Sequence, residues 1–315
     1  MKKEKLDFSL VVTDIGSWVN ENGQELLETA ILENETISFV TTYPGVKYKE
    51  ELKYLSTDAN IVAQACGTPT SSGTTTISKK DVEVKSVMVF EELCPKDLES
   101  TSLQLSMAPG TPEGLPFEGQ YTAQKVKQIQ KSVEDKFWIG ASGATAIAGI
   151  INQMLADSDV TDVVFDFSAT GLTDTQLIAG LNTVIDAIPE VARNYDDITL
   201  FLGHDLFRRI SRAYLNTANV LLQKFDFNGT TAFVVPGSED IMLKPVNGLN
   251  KANNTNQVVL AVPAHTLLYV CDMQSEEEST KMWYSQDDII VKFLAEWKWG
   301  AAYTFGALST LSAKA

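Results

Sequence analysis

Hydrophobic positions recur along the chain with two different periods. From Val46 to Leu55 the apolar side chains of Val46, Tyr48, Leu52 and Tyr54 alternate with Lys47, Lys49, Glu51 and Lys53. A period of two puts these sets on opposite faces of a strand. A second run, Ile77 to Phe90, alternates Val82, Val84, Met88 and Phe90 with Glu83 and Lys85, before Val87 and Val89 make it apolar throughout. Its charged half is expected at the surface and its apolar half in the core. Between the runs, Ser56 to Thr76 is dominated by small and polar residues that have little to bury and much backbone freedom. The pattern predicts a long two-stranded hairpin with a mobile tip. Since an isolated two-stranded hairpin is marginal in water, it implies either a docking surface for another molecule or subunit, or a flexible surface loop.

Elsewhere the period is helical. Glu118 to about Trp138 reads as one long helix with Val126, Ile129, Val133 and Phe137 on a narrow apolar stripe, and with Lys127, Gln128, Lys131, Glu134 and Asp135 elsewhere on its surface. Such a helix spans roughly 30 Å, long enough to be a beam on which other elements lie. An ordinary amphipathic surface helix fits the same residues. A small-residue turn, Gly140-Ala141-Ser142-Gly143, leads to a second apolar segment ending Gly149-Ile150-Ile151-Asn152.

The remaining segments are mixed. Asp14 is placed to cap a helix reaching Leu32, Ile37 to Thr42 reads as a short strand closed by Pro44-Gly45, and Pro95 opens a short helix through Leu105. A proline-rich connector runs from Pro109 to Pro116. Beyond Asn152, Val160 to Phe167 is a strand, and Thr173-Asp174-Thr175-Gln176 fits a capping box opening a helix with Leu177, Ile178, Leu181, Ile185 and Ile188 inward. Ile198 to Leu202 reads as a buried strand, and Asp205 caps a helix with Leu206, Phe207, Ile210 and Tyr214. Short strands follow at residues 232–235, 241–246, 258–262 and 267–271. A long final strand, Ile289 to Trp299, continues through Gly300 to Gly306. The fold class is α+β, without an internal repeat.

Composition narrows the function. The chain has 315 residues, enough for one large domain or two smaller ones. A formal charge of −16 opposes a free-standing nucleic-acid binder, which needs a basic face for phosphates. Cys66, Cys94 and Cys271 form no Cys-x-x-Cys pair and read as free thiols of a reducing compartment. No apolar run long enough to span a membrane occurs.

Catalytic chemistry does not assemble. The histidines are His204 and His265, 61 residues apart. Gly140 to Ala144 lacks the closing glycine of a nucleophile elbow, and no Lys-Ser or Lys-Thr completes a phosphate loop. Glu276-Glu277-Glu278, Asp196-Asp197 and Asp287-Asp288 read as solvated loop and turn residues. No catalytic, cofactor or metal residues are predicted, and the protein is expected not to be an enzyme. An α/β enzyme with its site around Gly140 to Gly149 or His204 is the alternative from another class.

The order of elements resembles the HK97-type major capsid protein of tailed bacteriophages along nearly the whole chain. Local matches are Val87-Met88-Val89-Phe90-Glu91-Glu92-Leu93, Glu134 to Gly140 followed by Gly149-Ile150-Ile151-Asn152, and Pro245-Val246-Asn247-Gly248 followed by Leu267 to Asp272. The resemblance implies an HK97-like capsid fold. Residues 1–45 would be an N-terminal arm with a first helix, 46–80 an extended E-loop hairpin, and 81–138 a peripheral domain with its spine helix at 118–138. Residues 139–285 would be an axial domain, and 286–315 a terminal strand returning to the peripheral domain. It implies a structural subunit of an icosahedral virus shell, self-assembling into pentamers and hexamers that enclose double-stranded DNA without reading its sequence. The implied location is the virion, after assembly in the host cytoplasm, with no membrane and no cofactor. Implied partners are other copies, a separate scaffold, a portal and decoration proteins. Nothing before residue 14 resembles the long scaffolding domain of the family, so the expectation is either a separate scaffold or one that has been lost. Inter-subunit contacts are expected at Leu6, Phe8 and Leu10 of the arm and at Lys47, Tyr48, Lys49, Lys53, Glu83 and Lys85 of the hairpin. The same fold also serves encapsulin-like compartments, a second expectation.

Overall fold

The computed structural model describes residues 36–59, 73–93, 117–141, 146–195, 197–227, 230–250, 256–272, 279–285, 287–288 and 290–313. The predicted helices at Asp14 and Pro95, the proline-rich connector and the hairpin tip at 60–72 lie outside these residues. In chain order the first strands are β1 (Thr41–Pro44), β2 (Lys49–Ala59), β3 (Gly73–Glu83) and β4 (Lys85–Leu93). Helices α1 (Phe117–Trp138) and α2 (Ile150–Leu155) follow. Then come β5 (Thr161–Val164), α3 (Asp174–Asp186), β6 (Ile198–Gly203) and α4 (His204–Ala218). The chain continues through β7 (Lys224–Phe227), β8 (Thr230–Val235), β9 (Ser238–Val246), β10 (Leu260–Pro263) and β11 (Leu267–Cys271). It closes with β12 (Ser279–Ser285), β13 (Ile290–Tyr303) and β14 (Thr310–Ala313).

β13 organises the first sheet. Its alternation buries Val291, Phe293, Ala295, Trp297, Trp299, Ala301 and Tyr303 in one core with Ile129, Val133, Phe137 and Trp138 of α1. Along one edge β13 pairs with β4, from Val291–Leu93 to Trp299–Lys85. It also pairs with β12 over residues 290–296 and with β11 over residues 299–303. β1 then joins β11 in parallel. The second sheet has the order β5-β14-β10-β6-β9-β8-β7. Its central strand β6 is buried along its whole length, as a continuous apolar run predicts. On one face, α3 and α4 pack Leu177, Leu181, Leu206 and Ile210 against Ile198, Leu200 and Leu202.

The predicted long helix is unbroken. It stops where Gly140 takes φ +53, a left-handed conformation suited to glycine at a helix end. A Cβ there would run into the Ile147 carbonyl, so the small-residue turn is a packing device, and Gly140 pairs with Ala148 to bring α2 back. Asn152 Nδ2 donates to the Ile139 carbonyl at 2.5 Å, satisfying a group beyond the last turn of α1. The capping box at Thr173 and Gln176 is present, with Thr173 N–H donating to Gln176 Oε1 at 2.9 Å and Gln176 N–H to Thr173 Oγ1 at 3.3 Å.

Several expectations are corrected. Glu134, expected on the helix surface, is buried, because residues 36–40 and the turn Asn247–Leu249 cover that side of α1. Its carboxylate accepts from Thr36 N–H at 3.3 Å, Trp138 Nε1 at 3.1 Å, Gly248 N–H at 3.4 Å and the Thr36 hydroxyl. A buried carboxylate needs such donors to replace its hydration. Residues 36–40 form a turn, with Phe39 and Val40 N–H bonded to the Thr36 carbonyl, so the strand begins only at Thr41. Gly203, not Asp205, is the N-cap of α4; the His204 N–H is taken by Asn250 Oδ1 at 2.7 Å, and Asp205 pairs with Arg208 in the first turn. The stretch expected as one terminal strand contains two. After β13, β14 crosses into the second sheet between β5 and β10. β7 and β12 were not predicted.

Candidate interaction surface

Among the described residues, those singled out for chemistry do not converge. His265 Nδ1 lies 2.6 Å from Asp197 Oδ2, and its backbone N–H also reaches that oxygen at 3.2 Å, so the pair fixes a turn. His204 opens α4, Cys271 is buried in β11, and Ser142, Gly143, Asp196 and Glu276 to Glu278 lie outside the described residues. Asp288 bonds Lys292 at 2.6 Å and Ser285 at 3.0 Å, which hold its carboxyl below the ordinary range. Among the described residues no cluster of His, Cys, Asp or Glu could hold a metal, and no helix is long and apolar enough to cross a membrane. A groove of about 200 Å³ under the hairpin root is lined by Asp81, Glu83, Lys85, Gln153 and Trp299. Its Lys85 Nζ already donates to the Ala146 carbonyl at 2.7 Å, and Gln153 Nε2 to the Ala148 and Ala301 carbonyls at 2.7 Å each.

What the chain does present is uncovered strand surface. β2 and β3 pair from Lys49–Glu83 to Ala59–Gly73. The ladder therefore reaches further toward the tip than predicted, through Thr57 and Thr74 to Thr76, whose β-branched side chains suit a strand. On the outer face Lys49 bridges to Asp81 at 2.7 Å and Lys79 to Glu51 at 3.0 Å. Toward the tip, Leu55 stands directly opposite Ile77, and the two are 61% and 64% exposed. An apolar cross-strand pair in water adds little to the free chain.

The inner face is fixed only over its root. Val46, Val82 and Val84 are buried against Leu268, Val270 and Ala302 on the side of the first sheet opposite α1. Tyr54 meets Phe305 edge to face at 4.8 Å. Lys80 Nζ sits 3.1 Å from Asp157 Oδ2 and 3.0 Å from the centre of the Tyr303 ring, while the Tyr303 hydroxyl donates to that same oxygen at 2.5 Å. Burial alone would raise the Asp157 carboxyl, but Tyr303, the Asp159 N–H and Lys80 outweigh it and hold it below the usual range. At Lys80 the balance reverses, burial lowering the ammonium against the pull of Asp157. Burial and then the Asp157 bond push the Tyr303 hydroxyl up.

A second uncovered surface lies on the first sheet. Val87 and Val89 face the core, whereas Met88 is 68% and Phe90 48% exposed, correcting the expectation that this apolar half is buried. The cause is that α1 covers one face only. Phe90 stands opposite Leu294, and Trp283, 41% exposed, opposite Lys292 on the same face. A strand apolar on both faces is ordinarily covered on both, and local sequence does not say that one face of β4 is left open.

Of the residues expected at subunit contacts, Lys47, Tyr48, Lys49, Lys53 and Glu83 are exposed around the hairpin. Tyr48 therefore does not join Val46 in a buried face. Lys85 is half-buried and turned onto its own chain. Leu6, Phe8 and Leu10 lie outside the described residues. Leu55, Ile77, Met88, Phe90 and Trp283 are exposed apolar residues outside that expected set, because alternation alone does not say which apolar faces the rest of the chain covers.

No protein-family model matches the chain, and no curated protein matches it by sequence. Solved structures do match in three dimensions. A chain of the satellite phage P4 procapsid, in a structure including the size determination protein, aligns with a TM-score of 0.57 at 11% identity, over 93% of this chain and 99% of that one. A chain from Microbacterium phage Oxtober96 aligns with a TM-score of 0.57 at 11% identity, over 90% and 91%. A virus-like particle from Pyrococcus furiosus gives a TM-score of 0.52 at 9% identity, over 93% and 98%. These alignments run nearly end to end, and the chain has the fold of phage capsid proteins, the HK97-like fold that its sequence resembles.

Proposed function

We propose that this chain, which has a capsid-protein fold, is the structural subunit of an icosahedral shell that assembles from pentamers and hexamers of itself and encloses double-stranded DNA. The observation that carries the reading is the end-to-end match to the P4 procapsid chain, 93% against 99% of the two lengths. The uncovered Leu55, Ile77, Met88, Phe90 and Trp283 support it, since repeated copies would remove that apolar area from water. On this reading β2–β3 is the E-loop and residues 1–45 are the arm. The first sheet with α1, the proposed spine helix, forms the peripheral body, and the second sheet with α3 and α4 the axial body. By sheet membership β1, at the end of the arm, and β11 and β12 go with the peripheral body and β14 with the axial body, in place of boundaries at residues 45 and 285.

Leu6, Phe8 and Leu10, with Lys47, Tyr48, Lys49, Lys53, Glu83 and the outer face of the hairpin, are then contacts between copies. Exposed ion pairs are individually weak, so cohesion comes from repetition and from the apolar pairs. A net charge of −16 suits enclosure of DNA without a clamp on its phosphates. The working partners are further copies, a scaffold, a portal and decoration proteins, in a virion assembled in the host cytoplasm. No catalytic step is assigned.

Expression alone and with its scaffold, followed by light scattering and electron microscopy, tests the reading. Rings or closed shells are expected; a protein that remains monomeric under both conditions overturns it. The similarity to the Pyrococcus furiosus particle favours a second reading, an encapsulin-like compartment. Particles filled with a cargo enzyme, free of nuclease-protected DNA, would decide for it.

A further inference from the structure

The hairpin has a built-in restraint. β3 and β4 are separated by the single residue Val84, whose N–H donates to the Tyr48 carbonyl at 2.8 Å. That bond closes the root of the ladder, and the chain changes partner there, from β2 to β13. At the same point the Glu83 carbonyl lies where a Cβ on residue 300 would stand, so Gly300 alone lets the root settle onto β13. The contacts around Val84 thus form a pivot. A pivot alone does not set an angle. Four residues before it, on the inner face, Lys80 reaches down to Asp157 and over the ring of Tyr303. Tyr303 is buried at the end of β13, and Asp157 is held in place by the Asp159 N–H at 3.1 Å. Both anchors therefore belong to the rigid body, whereas Lys80 belongs to the arm of the lever. Tyr54 on Phe305 is the neighbouring apolar contact.

We infer that Lys80, Asp157 and Tyr303 form a latch that holds the β2–β3 hairpin at one angle to its own body, and that opening it lets the hairpin swing about Val84. The latch is a property of the single chain. Its use, letting the hairpin adopt different angles at non-equivalent positions of a shell, rests on the function proposed above.

Hydrogen–deuterium exchange of the unassembled full chain tests it. Lys80→Met and Asp157→Asn are expected to speed exchange in β2 and β3 by about 10-fold or more, the scale of losing a hydrogen bond to a charged group. β6 and β10 should be unchanged, and Lys80→Arg should keep the protection. Unchanged hairpin exchange in both disruptive variants overturns the latch, as does equal loss of protection in β6, which would make the cluster an ordinary part of the core. Gly300→Ala supplies a second check, because it lifts the root without touching the cluster. Its expected result is faster exchange beginning at residues 82–84; no change there removes the pivot. A chain that never assembles but shows the exchange pattern keeps the latch and discards only its use.

Discussion

β6 and the β2–β3 hairpin are ladders of similar local geometry in opposite surroundings. In β6, Ile198, Leu200 and Leu202 are buried under α3 and α4, while Phe201 on the other face packs on Trp138 at 5.0 Å and Phe39 at 5.4 Å. In the hairpin, Val82 is buried on one face at the root, and Leu55 and Ile77 lie open near the tip. Backbone pairing satisfies both edges of β6 but only the facing edges of β2 and β3, and β6 removes apolar area from water on both faces, the hairpin only at its root. Strand structure therefore says little about where stability resides. β6 stabilises the folded chain, whereas Leu55 and Ile77 of the hairpin leave their apolar surface in water.

The largest separation between the two is expected from truncation. Leu200→Ala leaves a cavity among fully buried neighbours and should cost about 2–5 kcal/mol, whereas Ile77→Ala should stay within about 0.5 kcal/mol. Urea midpoints at constant slope measure both. Similar losses at the two sites would break the comparison, for the hairpin would then be part of the subunit core.

Next in size is Glu134→Ala. It leaves the Thr36, Trp138 and Gly248 donors without their carboxylate in a buried site, a loss of about 3 kcal/mol. Glu134→Gln retains an acceptor and should lose clearly less. If the alanine variant were as stable as the parent, the carboxylate would not be holding residue 36, α1 and the Asn247–Leu249 turn together. The site also marks the limit of periodicity. A heptad-like stripe assigned Ile129, Val133 and Phe137 correctly, but it placed Glu134 outside, since the segments that cover it are 98 and 114 residues away in sequence.

The same limit explains the rest of what could and could not be read. β13, α1 and the Thr173 capping box were legible because their signals are local: an uninterrupted alternation, an apolar stripe, a side chain three residues from its partner. β12 and β14 were not, because each is a strand through its pairing with β13 or with β5 and β10. Around the hairpin, exposure of Lys47, Lys49 and Lys53 was legible from alternation. Exposure of Met88 and Phe90 was not, because nothing local says that only one face of β4 is covered.

A smaller effect distinguishes the two halves of the hairpin itself. Asp157 has its carboxyl lowered by Tyr303, Asp159 and Lys80 against burial. Its contribution is thus present above the ordinary carboxyl pKa of about 4 and is lost as pH falls through the lower folded value. Protection at residues 78–83, measured relative to the intrinsic exchange rate at each pH, should fall on acidification, with residues 55–57 and 75–77 following less steeply, since Leu55 and Ile77 make no use of that charge. Asp157→Asn should flatten the response. A parent protein whose hairpin protection is constant from neutral pH to pH 3 would show that the carboxylate does not restrain it.

The smallest effect on stability should be the largest on association. Leu55→Ser with Ile77→Ser removes an apolar pair that the free chain barely shields, so the urea midpoint should move by no more than about 0.5 kcal/mol in free-energy terms. Phe90→Ser on the open face of β4 should behave similarly. If these surfaces are covered by neighbouring copies, each lost contact is repeated at every equivalent interface, and small pairwise losses multiply over a closed particle. Light scattering should then show assembly shifted to higher protein concentration or abolished while the monomer stays folded. Normal assembly in both variants would mean that the apolar surface of the hairpin and of β4 faces solvent in the particle, and the contrast with β6 would have to be explained without a partner.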